Sequence, residues 1–202
     1  MKKTIGKIHG KLVFNRRTQV LSQAVAALLP QGASVIDVGC GDGTIAGLCQ
    51  ATRPDVQIEG IDVLVRPSTV IPTTEFDGTH LPFADKSRDV IVFIDVLHHT
   101  LHPAQLLKEA ARVARSKIII KDHSYRNYLD RGTLALMDWV GNAPHGVVLP
   151  YNYQSPEQWQ ALFDEAQIGV DESSEAVPIY PFPFDRVFGG RLHFIASLSG
   201  RT

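Results

Sequence analysis

The chain has 202 residues, 44% of them hydrophobic and 20% charged, with a formal net charge of −1. That is enough apolar material for one full core, so a single domain over residues 1–202 is expected, and the near-zero charge disfavours nucleic acids held through a strong basic field. Its two cysteines, Cys40 and Cys49, make neither a disulfide framework nor a zinc spacing. No apolar run reaches the roughly 18 residues of a membrane-spanning helix, and the basic start "MKKTIGKIHGKLVF" lacks an apolar targeting core, so a cytoplasmic monomer or homodimer away from membranes is expected.

In chain order, Val20, Ala24, Ala27 and Leu28 recur at helical spacing and predict a helix over 14–29, ended by Pro30 and Gly32. Short β-branched runs then alternate with helical stretches. "SVIDVG" reads as a strand followed by a helix from about Thr44, and "QIEGID" and "RDVIVFID" as further strands. "PAQLLKEAARVAR" reads as a helix and "KIIIKD" as a strand. Such alternation predicts a parallel sheet with helices on both faces. From about 124 to 155 the rhythm breaks at Pro144, Gly146 and Pro150, which marks an insert. Within it "LALMDWV" reads as a buried amphipathic helix that turns Trp139 inward. The helix "PEQWQALFDEAQ" resumes the pattern. The runs "IGVDESSEAV" and "RLHFIASL", joined by "PIYPFPFDRVFGG", suggest a hairpin-like end with one antiparallel strand.

The first strand runs into "GCGDG", where Gly39, Gly41 and Gly43 allow positive φ and let a ligand approach bare backbone. A dinucleotide fingerprint is GxGxxG, but here Thr44 holds the third glycine's place and Asp42 sets an anion where a pyrophosphate would lie. A zwitterionic or cationic ligand suits the loop better. Asp62 closes the next strand, where a carboxylate can accept both hydroxyls of a ribose. No GxxxxGK[ST] run and no Tyr-x-x-x-Lys pair support the nucleotide triphosphate or NAD oxidoreductase alternatives.

"VIDVGCGDG", "IEGIDV", "FDGTHLPFADKSRDVIVFIDVLHH" and "KIIIKDH" together resemble the class I S-adenosylmethionine-dependent methyltransferases, in particular a small-molecule, type 11-like group; the likeness covers about residues 33–123. The resemblance implies a three-layer Rossmann-like sandwich whose seven strands run 3-2-1-4-5-7-6 with one reversed. It implies S-adenosyl-L-methionine as cofactor and S-adenosyl-L-homocysteine as product. Asp37, Gly39, Cys40 and Gly41 would meet the methionine part, Asp62 the ribose, and Val63 the adenine. Asp77 and Gly78 match the positions at the adenine amino group, and Asp95 and Val96 the end of the fourth strand near the methyl. Thr79 and Leu97 are further cofactor candidates.

The expected reaction is methyl transfer to oxygen, or else nitrogen or carbon, of a small molecule. A non-catalytic cofactor-binding scaffold and an RNA methyltransferase are the rival readings. Neither an NPPY-type run nor a Pro-Cys pair supports base or amide methylation. His123 and His98 are the candidate bases, because an imidazole titrates near working pH. Tyr151, Asn152, Tyr153 and His99 are candidate acceptor contacts. His98, His99 and His102 share no regular helical face and no nearby glutamate or cysteine completes a set, so no metal is expected.

Overall fold

The computed structural model describes residues 2–142, 149–175, 177–182 and 184–201; Pro144 and Gly146 of the insert lie outside them. The β-branched runs form β1 (Ser34–Val38), β2 (Gln57–Asp62), β3 (Thr73–Glu75), β4 (Arg88–Ile94), β5 (Ala114–His123), β6 (Ile168–Ser174) and β7 (His193–Gly200). They make one sheet in the order β3-β2-β1-β4-β5-β7-β6. Strands β1 to β5 pair in parallel, and β7 alone runs antiparallel, between β5 and β6. This is the expected seven-stranded order, including the reversed strand. The three-residue β3 is too short and polar to show as a hydrophobic run, and only the resemblance implied it.

Among the described residues six α-helices flank the sheet: α1 (Lys2–Leu28), α2 (Thr44–Thr52), α3 (Pro103–Val113), α4 (Tyr128–Asn142), α5 (Pro156–Glu165) and the short α6 (Asp185–Phe188). Side chains alternate along each strand, so Val90 and Val92 of β4 meet Leu21, Val25 and Cys49 of α1 and α2. Ile91 and Phe93 face the opposite way, onto Leu106, Leu107, Trp159 and Phe163 of α3 and α5. The sheet is thereby covered on both sides, which is why its central strands are apolar throughout.

Two boundaries and the rotation of one helix differ from the sequence reading. Helix α1 begins at Lys2, not 14, because no proline precedes Pro30 to stop the backbone earlier. Helix α3 ends at Val113: Lys86 Nζ takes the carbonyls of Ala111 and Ala114 at 2.9 and 3.0 Å, and Ala114 already pairs with Arg88 of β4. In α4, Asp130, Leu134 and Asp138 are buried, whereas Trp139 is 57% exposed, so the inward Trp139 is overturned. Helix α5 starts on a capping box in which Ser155 Oγ accepts from Gln158 N while Gln158 Oε1 accepts from Ser155 N. Among the described residues no helix is long and apolar enough to cross a membrane.

Candidate active site

At the end of β1 the chain leaves through Gly39, Gly41 and Gly43, with φ of 70°, 61° and 76°. A Cβ on Gly39 would stand 2.7 Å from Val96 Cγ2, so close approach as well as φ requires glycine there. The amides of this loop face inward. Gly39 N and Cys40 N donate to Ile61 O at 2.7 and 3.3 Å, Gly41 N to Asp62 Oδ2 at 2.8 Å, Gly43 N to Cys40 O at 2.9 Å, and Thr44 N to Asp42 Oδ1 at 2.9 Å. A pyrophosphate needs free N–H groups, and these are spent; a donor-bearing cation meets carbonyls and carboxylates instead. The space above Gly41 is open, with no atom within 4 Å of where its Cβ would be.

Cys40 turns its side chain under the loop, onto Gly60 and Thr73. Burial pushes its thiol up to about 12, so it serves as a filler with no nucleophilic character. Asp37, almost fully buried at the end of β1, is pushed up to about 7, by burial first and by the Asp62 charge second. Asp62 accepts from Gly41 N and, through Oδ1, from Leu64 N at 2.9 Å, which fixes the carboxylate and leaves lone pairs for ribose hydroxyls. Beside it Val63 and Leu64 are more than half exposed, an apolar shelf where a flat base can rest. Gly78, at φ 82°, closes against Val63. Asp77 Oδ1 accepts from Thr79 N, Thr79 Oγ1 and His80 N, which lowers its pKa and leaves Oδ2 for an amino group.

The ends of β4 and β5 carry a buried polar array. Because side chains alternate, Lys121 and Asp122 leave β5 on opposite faces. On the α1 side Lys121, with no exposed surface, and Arg17 of α1 both bind the Asp95 carboxylate. Burial would raise the Asp95 pKa, but Lys121, His123 and Arg17 outweigh it and hold the carboxyl well below the usual range. Asp95 sits at φ 56°, an uncommon conformation for a residue with a Cβ, so two cations and its N–H bond to Lys121 O hold a strained turn. Lys121 Nζ also lies 3.1 Å from His193 Nδ1, while His193 Nε2 meets Phe188 O at 2.8 Å. That pairing makes His193 a neutral imidazole, in keeping with a pKa depressed by burial and by Lys121.

On the other face Asp122, fully buried, accepts from Leu97 N (3.0 Å), His123 N (2.7 Å) and His98 Nδ1 (2.6 Å). Burial opposes charge on His98, but the Asp122 carboxylate overcomes it and raises the pKa. His123 lies between the two groups, its Nδ1 3.4 Å from His98 Nδ1 and 3.5 Å from both Asp95 and Asp122. Burial, with Lys121 next, pushes His123 down to about 4, so it is neutral. The carbonyl of His123 accepts from Trp159 Nε1 at 2.9 Å, pinning the end of β5 to α5. From α4 Asp138 reaches in, its Oδ1 3.9 Å from His98 Nε2 and 3.7 Å from His99 Nε2. Tyr153 OH donates to Asp138 Oδ2 at 2.9 Å.

The structure thus brings His98, His99, His123 and Tyr153 together and leaves His102 outside. Leu97 is buried in the core, and its N–H donates to Asp122. Asn152 braces the loop, donating from its amide to Thr100 O at 2.8 Å. Tyr151, at φ 54°, packs with Tyr153 in a small cluster under α4. Lys121, Asp138 and His193 were missed by the sequence reading. The signal was a lysine inside the apolar strand run and a lone carboxylate in "LMDWV", since such groups are buried only when paired. A depression of about 610 Å³ lined by His102, Lys108, Asn152 and Glu165 lies between α3 and α5 and includes none of the clustered histidines.

Residues 13–173 match the family described as Methyltransferase domain. The 27-O-demethylrifamycin SV methyltransferase of Amycolatopsis mediterranei (strain S699) is 31% identical over 113 residues, covering 48% of this chain and 41% of that protein. The chain spans less than half the length of the curated relatives it matches. Among solved structures, a Haloferax volcanii methyltransferase in complex with a methyltransferase activator superposes with a TM-score of 0.72 at 16% identity, over 92% of this chain and 91% of that one. A Thermotoga maritima S-adenosylmethionine-dependent methyltransferase gives 0.66 at 18% identity, over 99% and 97%. The glycine loop with its inward amides, the fixed Asp62 and the apolar shelf fit a cationic, ribose-bearing ligand. The chain belongs to the methyltransferase domain family, with S-adenosylmethionine as its cofactor and S-adenosylhomocysteine as the product.

Proposed function

We propose that the protein transfers the methyl group of S-adenosylmethionine to an oxygen of a small-molecule acceptor, in a single domain over residues 1–202 whose segment 124–155 shapes the acceptor side. One observation carries the reading: His98, Asp122 and His123 meet at the ends of β4 and β5, beside the strand that bears the glycine loop. The 27-O relative supports oxygen as the target atom.

The bound cofactor supplies a methyl group already activated on sulfur, so the protein's work is alignment and exclusion of water. Asp37 and the backbone of Gly39, Cys40 and Gly41 would hold the amino-acid end, and Asp62 would hold the ribose. Val63, Asp77, Gly78 and Thr79 hold the adenine. Asp95, clamped by Arg17 and Lys121, fixes the turn through Val96 and Leu97 that floors the methyl position. His123 accepts the acceptor's proton: its Nδ1 faces Asp95 and Asp122, and its Nε2 has no partner among the described residues. His98, tied to Asp122, orients His123 from behind. His99 and the braced segment Tyr151, Asn152 and Tyr153 wall the acceptor space.

Calorimetric titration with S-adenosylmethionine and S-adenosylhomocysteine tests the cofactor half. Saturable binding of both is expected, weakened about 10- to 100-fold in Asp62→Ala, the equivalent of losing charged hydrogen bonds of about 1.5–3 kcal/mol. Transfer of labelled methyl to a panel of hydroxylated compounds then tests the chemistry, with His123→Ala expected to bind cofactor normally and transfer poorly. A folded protein that binds neither ligand sinks the proposal.

A further inference from the structure

We infer that His98 Nε2, His99 Nε2 and the Asp138 carboxylate form a binding site for one divalent first-row transition-metal ion, of the kind that two imidazoles and a carboxylate select. Two overlapping groups of donor atoms lie within 4.8 Å of one another, His98 with Asp122 and His123, and His98 with His99 and Asp138. Distances decide between them. Two ligands on one tetrahedral ion, each bonded at about 2.1 Å, stand about 3.4 Å apart. The 2.6 Å from His98 Nδ1 to Asp122 is a hydrogen bond and leaves no room for an ion. The 3.7 and 3.9 Å from Asp138 Oδ1 to His99 and His98 are too long for hydrogen bonds and within a few tenths of the ligand spacing.

The surroundings are those of a built site. Asp122 binds the rear nitrogen of His98, so an ion that displaces the Nε2 proton of that imidazolium to solvent meets a ring already held with Nε2 forward, and Tyr153 holds the second oxygen of Asp138. His99 Nδ1 is buried without a partner among the described residues, so nothing at that nitrogen fixes the ring; a bond at Nε2 would. One carboxylate, Asp138, thus faces two imidazoles, and His98 and Asp138 are themselves buried, a donor set of the kind that holds an ion. Three protein ligands leave at least one position open. If the methyl-transfer reading holds, an acceptor oxygen takes that position next to His123, which favours acceptors presenting adjacent oxygens; ion binding itself does not depend on that reading.

The test is a titration of the metal-free full chain with Co²⁺, followed by its visible ligand-field absorption and by displacement with Zn²⁺. A single saturable site is expected. His99→Ala, at a partly exposed position the fold tolerates, and Asp138→Asn should weaken it at least about 100-fold, and Asp122→Asn about 10- to 100-fold. S-adenosylmethionine binding by each variant reports that it is folded. Cobalt binding unchanged in His99→Ala and Asp138→Asn overturns the inference, as does failure of a cofactor-binding protein to take up either ion. Site-dependent cobalt binding by a protein that binds no cofactor supports the metal site and removes only the methyl-transfer reading.

Discussion

Asp37 shows how a single buried carboxylate ties stability to pH. Folded Asp37 keeps its proton up to a pH of about 7, while an aspartate in the unfolded chain releases it near 3.8. Between those values the folded state binds more protons, so stability falls as pH rises and the deficit is complete above about 7. Asp37→Asn should therefore raise the Tm of the cofactor-free protein at pH 8 and leave it nearly unchanged at pH 3.5. Scanning calorimetry at both values checks this, and a titration of the variant should show weakened cofactor affinity. Residues of this kind were legible because they sit where a strand meets a glycine loop, a local pattern. Asp138 was not: the two histidines it faces, His98 and His99, are 40 and 39 positions away, and only the packing of α4 against the 97–99 turn joins them. Asn152 and Tyr153 were legible as a polar aromatic run near the site, yet sequence could not tell a ligand contact from a brace, since the same groups serve both.

At the scale of elements, β2 and the glycine loop are fitted to each other through Gly60. A Cβ there would stand 2.4 Å from Cys40 Sγ and 3.0 Å from Cys40 Cβ. Gly60→Ala should push the loop away from β2, costing about 1–3 kcal/mol in urea unfolding and weakening cofactor binding. Adding Cys40→Ala removes the sulfur but not the Cβ contact, so a double-mutant cycle should recover part of the loss, not all. The strands that carry this contact were readable as apolar runs bounded by turns. Helix α4 was readable as a helix but not in its rotation. Its apolar residues lie nearly all around it, so hydrophobicity did not select a face, and the buried face turned out to be the one with Leu134 and Asp138. The start of α1 was missed for a related reason: its first turns lack the regular apolar stripe that marks a buried face, while nothing in them forbids helix.

For the whole molecule, the alternation of strands and helices was visible in the residues, while the strand order came only through the family likeness, because order is set by long-range pairing that no local pattern encodes. Arg17 ties these layers together: it leaves α1 to reach Asp95, just after β4. Arg17→Ala should leave the sheet's amides as protected from hydrogen exchange as before and raise exchange in α1, with cofactor binding reduced; equal protection of α1 in both proteins would show that the tie holds nothing. The place of β7 has a different consequence, one of timing. As the chain emerges from the ribosome, β1 to β5 and the glycine loop can assemble first, but β6 has no neighbour until β7 exists to lie between it and β5. His193 arrives with that strand. A nascent chain is thus able to shape the glycine loop before β7, made after β6, brings His193 to Lys121 and completes the polar array.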